Sequence, residues 1–131
     1  MKDLIRILLV DDEVKVLFVL YEVLVGLGPG IEVLTAQNGR AALERLEQER
    51  IDLLITDLKM PNMNGIELTQ AVRASNPDLP IIWITAYDAW ASDAEKYHIE
   101  HYLHKPLEID ALRTIVQQAL PHQAKNLSRP G

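Results

Sequence analysis

The stretch that most constrains this chain is residues 51–65, which reads IDLLITDLKMPNMNG. Its first half is an apolar run, rich in Ile and Leu and too short for an ordinary helix, which is typical of a strand buried on both faces. The run ends at Asp57, and the Pro, Asn and Gly residues that follow break a strand and form a loop. Asp57 should therefore lie at the carboxyl end of a core strand, the edge where open α/β sheets bind ligands. A carboxylate held there is a nucleophile, a metal ligand or a helix cap.

The rest of the chain continues this alternation of apolar strands and amphipathic helices. Strands are predicted at residues 4–10, 31–36, 51–57 and 80–85, with a fifth beginning at Tyr102. Helices are predicted at about 13–26, 39–49, 88–97 and 108–120, and a further helix lies between the loop after Asp57 and Pro77. Asn38 is predicted to cap the second helix. Such an alternation indicates the α/β class, with a doubly wound, five-stranded parallel sheet and helices on both faces.

An acidic run follows the first predicted strand, at Asp11, Asp12 and Glu13. Adjacent acids repel one another, and that cost makes sense when a cation lies between them or a helix N-terminus faces them. Taken alone, Asp11 or Asp12 would more simply be interpreted as the cap of the next helix. With Asp57 at a second strand end, the pattern favours a metal site. Oxygen ligands without His or Cys suit Mg²⁺ or Mn²⁺.

Composition excludes several other classes of protein. The 131 residues are enough for one domain with its own core. The chain has no Cys, which excludes disulfides, thiol catalysis and cysteine zinc sites, and its net charge of -6 argues against direct nucleic-acid binding. It has no transmembrane run, and residues 4–10 are too short for a signal sequence. We therefore expect a cytoplasmic protein without a membrane partner, with one domain over residues 1–121 and a tail or linker over 122–131.

Four motifs lie at successive predicted strand ends. They are the acidic pair Asp11-Asp12, the segment from Asp57 to Gly65 with the pattern D-x-x-M-P-x-x-x-G, Thr85-Ala86, and Lys105-Pro106. In this order they resemble the receiver domain of response regulators, the chemotaxis-regulator-like family of two-component signalling, over about residues 4–120. The resemblance implies a flavodoxin-like strand order of 2-1-3-4-5, whose switch point lies between the first and third strands.

The resemblance also implies the roles of individual residues. Asp57 would be the phosphoacceptor, Asp12 a direct Mg²⁺ ligand, Asp11 a ligand through water, and the carbonyl of Lys59 a further ligand.

A second group of residues would contact the phosphoryl group and respond to it. Lys105 would pair with the phosphoryl oxygens, and Thr85 would hydrogen-bond one of them. Tyr102 would be an aromatic switch that turns inward when Thr85 moves. The Lys105-Pro106 bond is cis in this family.

The function that follows from this resemblance is a signalling switch. The domain would take a phosphoryl group from a sensor histidine kinase and change its surface to control an effector domain or partner protein. A homodimer formed on phosphorylation is a further expected partner. The domain would not be an enzyme in the usual sense, because it would catalyse only its own Mg²⁺-dependent phosphorylation and dephosphorylation.

The first helix carries two apolar stripes at helical spacing. The stripe predicted to pack on the sheet contains Val16, Val19, Leu20, Val23, Leu24 and Leu27. The second contains Val14, Leu17, Phe18, Tyr21 and Val25. An apolar face without a partner in its own chain usually marks an interaction surface, so Val14, Leu17, Phe18 and Tyr21 are predicted to bind the helical phosphodonor domain of the kinase. The alternative is a helix that buries both stripes within its own fold.

Two other functions remain open. A Mg²⁺-dependent phosphatase or phosphotransferase could use the same Asp nucleophile, but it would want a second acid two residues later, where this chain has Lys59. A degenerate receiver would act only as an interaction module, and the presence of Asp12, Asp57, Thr85 and Lys105 argues against it.

The histidine-containing segment departs from the family pattern. His98-Ile99 stands where the family usually has Gly-Ala, and His ends a helix in the left-handed conformation less readily than Gly. His98, His101 and His104 recur every third residue. They are either a metal site or, as their positions near a strand start favour, solvated side chains.

Overall fold

In the computed structural model, which describes residues 4–86 and 91–120, one parallel sheet has the strand order β2-β1-β3-β4-β5. Its strands are β1 (Ile5–Val10), β2 (Ile31–Ala36), β3 (Leu53–Asp57), β4 (Ile81–Thr85) and β5 (His101–His104). Its helices are α1 (Val14–Val25), α2 (Gly39–Gln48), α3 (Gly65–Ser75), α4 (Ala91–Lys96) and α5 (Ile109–Ala119). The predicted fold class and strand order are therefore confirmed.

Two apolar clusters lie on opposite faces of this sheet. Strand side chains alternate between the faces, so Leu53 and Ile55 of β3 lie in one cluster and Leu54 lies in the other. The first cluster includes residues of α1 and α5, and the second includes residues of α2, α3 and α4. Helices thus cover both faces, which explains why β3 reads as a continuous apolar run.

The bounds of the predicted elements agree with the observed ones to within two residues wherever the structure describes them. Strand β2 has the predicted bounds, and Asn38 caps α2 by accepting a hydrogen bond from the Ala41 N–H at 2.8 Å. Helix α4 begins at Ala91 in the structure, and residues 87–90, which include the predicted start, lie outside the described residues. The predicted tail over 122–131 and the domain boundary at residue 121 also lie outside them.

Helix α4 ends in a Schellman motif at His98. The Ile99 N–H donates to the carbonyl of Ala94 at 2.8 Å, and the His98 N–H donates to the carbonyl of Glu95 at 3.2 Å. His98 has φ 59°, the left-handed conformation that usually requires Gly. His98 therefore stands where the family has Gly, but α4 still ends in the left-handed conformation that Gly would adopt.

The inner stripe predicted for the first helix is largely confirmed, because Leu20 and Leu24 are buried in the core, but two residues of α1 differ from the prediction. Leu17, assigned to the outer stripe, is 6% exposed and belongs to the core, whereas Val19, assigned to the inner stripe, is 54% exposed. The buried line runs through Leu17, Leu20 and Leu24. The prediction was wrong for Leu17 and Val19 because apolar residues surround most of the helix, so their spacing did not define the edges of the face that packs.

Candidate functional site

The carboxyl ends of four strands bring the predicted site residues to one edge of the sheet. Asp11 directly follows β1, Asp57 ends β3, Thr85 ends β4 and Lys105 directly follows β5. The parallel register aligns these ends, because Asp57 lies opposite Ile84 and Thr85 lies opposite His104. The site is thus a consequence of strand length and register, since each polar residue stands where its strand stops.

Three carboxylates converge at this edge. Asp11, Asp12 and Asp57 each offer an oxygen, and these oxygens lie within 4.8 Å of one another. Asp11 and Asp57 are buried, whereas Asp12 is exposed at the mouth of the site. Among the residues that the structure describes, this is the one such group with the spacing of a metal site. A cluster of hard oxygen ligands that is open on one side suits Mg²⁺, which retains several waters.

The backbone of the following turns orients the two buried acids. One oxygen of Asp11, Oδ1, accepts a hydrogen bond from the Glu13 N–H at 2.9 Å. In the same way, Oδ1 of Asp57 accepts from the Lys59 N–H at 3.3 Å. Helix α1 starts after Glu13 without any side-chain cap, so the interpretation of Asp11 or Asp12 as its cap is wrong.

The ammonium group of Lys105 reaches all the acids on its side of the site. Its Nζ lies 2.9 Å from Oδ2 of Asp57, 3.4 Å from Oδ2 of Asp11 and 3.7 Å from Oε1 of Glu13. The Lys105-Pro106 peptide bond is cis, as the family resemblance implied. Burial lowers the pKa of Lys105, but its bond to Asp57 and the charges of Asp11 and Asp57 outweigh burial, so the pKa is raised above its ordinary value.

The buried carboxylate of Asp11 is only partly stabilised by the positive charge of Lys105. Burial is the main influence on Asp11 and, helped by the negative charge of Asp57, it raises the pKa of Asp11. The Glu13 N–H and Lys105 act in the opposite direction without cancelling that effect. A divalent cation beside these carboxylates would offset the repulsion between them.

The carboxylates open into a cleft of about 510 Å³, which is large enough for a phosphoryl group together with a hydrated cation. Its lining residues are Asp12, Glu13, Asp57, Lys59, Met60, Pro61, Ala86 and Lys105. Glu13 and Ala86 were not among the predicted site residues. The signal for Glu13 was present in the sequence, because it extends the acidic run after β1.

The loop between β3 and α3 closes tightly beneath Asp57. The Gly65 N–H donates to the carbonyl of Leu58 at 2.9 Å. A Cβ atom placed on Gly65 would lie 2.3 Å from the carbonyl oxygen of Asp57. Only glycine fits here without moving the backbone that carries the Asp57 carboxylate.

The remaining predicted residues lie around the cleft rather than inside it. Thr85 is buried at the end of β4, whereas Tyr102 is 45% exposed, with its ring 5.9 Å from that of His104 in an edge-on contact. His101 and His104 are three residues apart on β5, so they point to opposite faces of the sheet. The three histidines therefore do not converge on a metal.

Helix α1 presents an exposed apolar surface next to the cleft. We call it the α1 surface, and its members are Val14, Phe18, Val19 and Tyr21. Phe18 is 65% exposed, which is unusual for so large an apolar side chain. Val19 also lines a shallow depression with Lys105, Pro106 and Leu107, so this member of the surface adjoins the loop that carries the site lysine. The alternative of a helix that buries both stripes is therefore wrong.

Comparison with known proteins places the chain among signalling domains. A family profile described as the response regulator receiver domain matches residues 7–117. The transcriptional regulatory protein ZraR of Escherichia coli (strain K12) is 37% identical over 122 residues, which is 92% of this chain and 27% of ZraR. The chain thus spans 27% of the length of this curated relative.

Solved structures give the same result. The response regulator protein TrrA of Thermotoga maritima, in complex with Mg²⁺–BeF, is 35% identical, with a TM-score of 0.80 over 89% of this chain and 100% of TrrA. The CheY-like receiver domain protein of Methanospirillum hungatei JF-1 is 28% identical, with a TM-score of 0.84 over 95% and 99% of the two chains. The helices within residues 4–86 and 91–120 include no candidate for a membrane-spanning segment.

Proposed function

The chain belongs to the response regulator receiver domain family of two-component signalling, and we propose that the Asp57 carboxylate accepts a phosphoryl group with Mg²⁺ bound beside it. The observation that carries this proposal is the convergence at Asp57. The carboxylate is buried, its Oδ2 lies 2.9 Å from an ammonium group, and two further acids lie within 4.8 Å.

The chemistry is an attack of a carboxylate oxygen on phosphorus. An Asp57 oxygen forms the new bond to phosphorus while the bond from phosphorus to the donor breaks, and the donor leaves with that electron pair. The product is an acyl phosphate, which water later hydrolyses to the free carboxylate and phosphate. The ammonium group of Lys105 contacts Oδ2 of Asp57, so it can also pair with the oxygens of a phosphoryl group that becomes attached there.

The acidic cluster supplies the ligands for a divalent cation. Asp12 and Asp57 would bind the ion directly, Asp11 through water, and Lys59 through its carbonyl. The set contains only oxygen atoms, which suits Mg²⁺ and also Mn²⁺. A bound ion would supply the positive charge that allows phosphoryl oxygens to approach this acidic site. The Mg²⁺–BeF complex of the related protein TrrA supports this choice.

The response to phosphorylation would run from Thr85 to Tyr102. Thr85 ends the strand next to β3 and would hydrogen-bond the phosphoryl group from its buried position. The Tyr102 side chain is partly exposed in the structure, so its ring could rotate inward from the surface. Such a coupled movement converts a local charge into a change of surface.

The phosphodonor would be the helical domain of a sensor histidine kinase docked on the α1 surface. Helices bury exposed apolar stripes against other helices, and Val19 of this surface adjoins the loop of Lys105. Leu17 is removed from the predicted docking residues because it is buried, and Val19 takes its place. This role would take place in the cytoplasm, where kinases obtain ATP.

Two observations favour the switch over the other functions. A phosphatase or phosphotransferase would need an acid for its leaving group, and Lys59 lines the cleft at that position. A degenerate receiver would have no use for a lysine paired to a buried aspartate. We therefore propose that the domain catalyses only its own phosphorylation and dephosphorylation. It would act on an effector domain or partner protein, with dimer formation as one response.

The test is phosphorylation by acetyl phosphate in the presence of Mg²⁺, followed by mass spectrometry of the intact chain and its peptides. We expect one added phosphate, on Asp57, and none when EDTA replaces Mg²⁺. Asp57→Asn should abolish the labelling. Asp110→Asn, whose side chain is 96% exposed, is the matched control and should label normally. No added phosphate, or phosphate at another residue, would refute the proposal.

A further inference from the structure

A buried hydrogen-bonded pair links β4 to the first turn of α3. The indole N–H of Trp83 donates to Oγ1 of Thr69 at 2.9 Å, and the Thr69 hydroxyl donates to the carbonyl of Gly65 at 2.7 Å. Trp83 is 1% exposed and Thr69 is 0% exposed. The hydroxyl therefore accepts one hydrogen bond and donates its single hydrogen to another, so the pair is satisfied without water.

The pair connects two parts of the candidate site through its neighbours. Gly65 holds the base of the loop after Asp57, through its hydrogen bond to Leu58 and its close approach to the Asp57 carbonyl. Trp83 lies opposite Thr56 in the sheet and two residues before Thr85 on the same strand. The link from Trp83 through Thr69 to Gly65 thus joins the strand that ends at Thr85 to the loop that contains Lys59.

Apolar packing alone would not need these polar groups. A Phe or Leu at position 83 and a Val at position 69 would fill the same layer without a buried donor that must find an acceptor. A buried polar pair is directional, whereas apolar contacts permit sliding. The pair can therefore hold α3 in one register relative to β4.

We propose that Thr69 and Trp83 are positioning residues for the phosphorylation site, which fix the loop between β3 and α3 so that Asp57 and the carbonyl of Lys59 keep the spacing that a cation requires. This inference rests on the proposed function. Neither residue touches the cation or the phosphoryl group. They restrict the conformations of the loop before the cation binds. Cation binding therefore costs less conformational entropy.

The test compares Thr69→Val, which removes the hydroxyl but keeps the shape, with Thr69→Ser, which restores the hydroxyl. Mg²⁺ affinity is measured by calorimetry, phosphorylation by its rate with acetyl phosphate at saturating Mg²⁺, and stability by urea unfolding in EDTA. We expect Thr69→Val to raise the Mg²⁺ Kd by about threefold to tenfold, the range of a lost buried hydrogen bond. Thr69→Ser should stay within about twofold of the unaltered protein. Thr114→Val, at an exposed position of α5, should change neither the Mg²⁺ Kd nor the phosphorylation rate.

Each other outcome contradicts the inference. If Thr69→Val lowers the free energy of unfolding while the Mg²⁺ Kd and the phosphorylation rate stay the same, the pair only stabilises the fold. If Thr69→Val does not fold, Trp83→Phe removes the indole donor, and an unchanged Mg²⁺ Kd in that variant overturns the inference as well. Should the unaltered domain neither bind Mg²⁺ nor take up phosphate, the proposed function fails, and the inference fails with it.

A double substitution provides an independent check. If both residues act through one link, Thr69→Val combined with Trp83→Phe should raise the Kd by no more than the larger single effect. Effects that multiply would show that the two residues act separately, which contradicts a shared link.

Discussion

The Nζ of Lys105 lies 2.9 Å from Oδ2 of Asp57, a pairing across 48 residues of sequence that joins the ends of β3 and β5. The lysine has a raised pKa, so the folded chain holds its proton more tightly than the unfolded chain does. The stability from this pairing is therefore fully present below the ordinary lysine pKa of 10.5 and is lost only as the pH rises through the higher folded value. The ion pair is intact over the whole neutral range.

Replacing this lysine should separate cation binding from phosphoryl transfer. In Lys105→Ala the three carboxylates remain, so Mg²⁺ binding measured by calorimetry should persist. Phosphorylation by acetyl phosphate should slow by about 100-fold, because the charge that follows the phosphoryl oxygens is gone. Phosphorylation-linked changes in the fluorescence of the domain should disappear. Lys96→Ala, at an exposed position of α4, is the control. A Lys105→Ala domain that still switches normally would remove this residue from the mechanism.

The acidic cluster should cost stability when no cation is bound. Burial raises the pKa of Asp11, so the folded state binds its proton more tightly and stability falls as the pH rises from the ordinary value of 3.8 through the higher folded value. At neutral pH in EDTA, Asp11→Asn should therefore increase the free energy of unfolding by about 0.5–2 kcal/mol. The Asn oxygen can still accept from the Glu13 N–H.

Adding Mg²⁺ should make the unaltered domain more stable than Asp11→Asn. At a free concentration of 100 times Kd, the ion stabilises a folded domain by about 2.7 kcal/mol. The unaltered domain should gain this stability in urea unfolding experiments, and Asp11→Asn should gain less because it binds the ion more weakly. Equal gains in the two proteins would show that Asp11 takes no part in the site.

Gly65 should not tolerate even a methyl group. A Cβ would lie 2.3 Å from the Asp57 carbonyl oxygen and 2.8 Å from the Cα of Leu58, and neither backbone atom can move freely. We expect Gly65→Ala to lower the free energy of unfolding by about 2–4 kcal/mol and to weaken Mg²⁺ binding. Gly26→Ala is the control, because its Cβ would come no closer than 3.3 Å to a neighbour and its φ is -70°. That variant should stay within about 1 kcal/mol of the unaltered protein.

The end of α4 should be improved by glycine. His98 adopts φ 59°, which costs a residue with a Cβ about 1 kcal/mol. His98→Gly should raise the free energy of unfolding by a similar amount, measured by urea unfolding. His98→Ala is the matched control and should give no gain, since alanine has the same steric restriction. A gain with alanine would mean that the imidazole, rather than the backbone conformation, is unfavourable here.

Changes on the α1 surface should slow phosphoryl transfer from the kinase but not from small-molecule donors. Phe18→Glu places a charge at the most exposed large apolar side chain of α1. Transfer from the phosphorylated kinase should slow by about 10-fold or more, as expected for a residue at the centre of an interface, while the rate with acetyl phosphate stays the same. Ile109→Glu on α5, where the side chain is 49% exposed, controls for the added charge. Equal rates from the kinase with both variants would remove the docking hypothesis.

Much of the site could be predicted because each of its residues stands at a strand end. The apolar run before Asp57 and the loop-forming residues after it determined where that strand stops, and the same reasoning located Asp11, Thr85 and Lys105. Parallel strands bring such ends together regardless of details in the helices. The fold class and the acidic cluster therefore followed from local patterns.

Other features depended on contacts that no local pattern contains. The spacing of apolar residues on α1 could not decide between Leu17 and Val19, because both lie on apolar stripes and only packing against the sheet buries one of them. The bond from Trp83 to Thr69 joins side chains on two different elements. Local patterns in the sequence were enough to define where the strands end. Which of Leu17 and Val19 is buried, and which polar atoms meet, follows from the folded arrangement, because it depends on distances between segments that are remote along the chain.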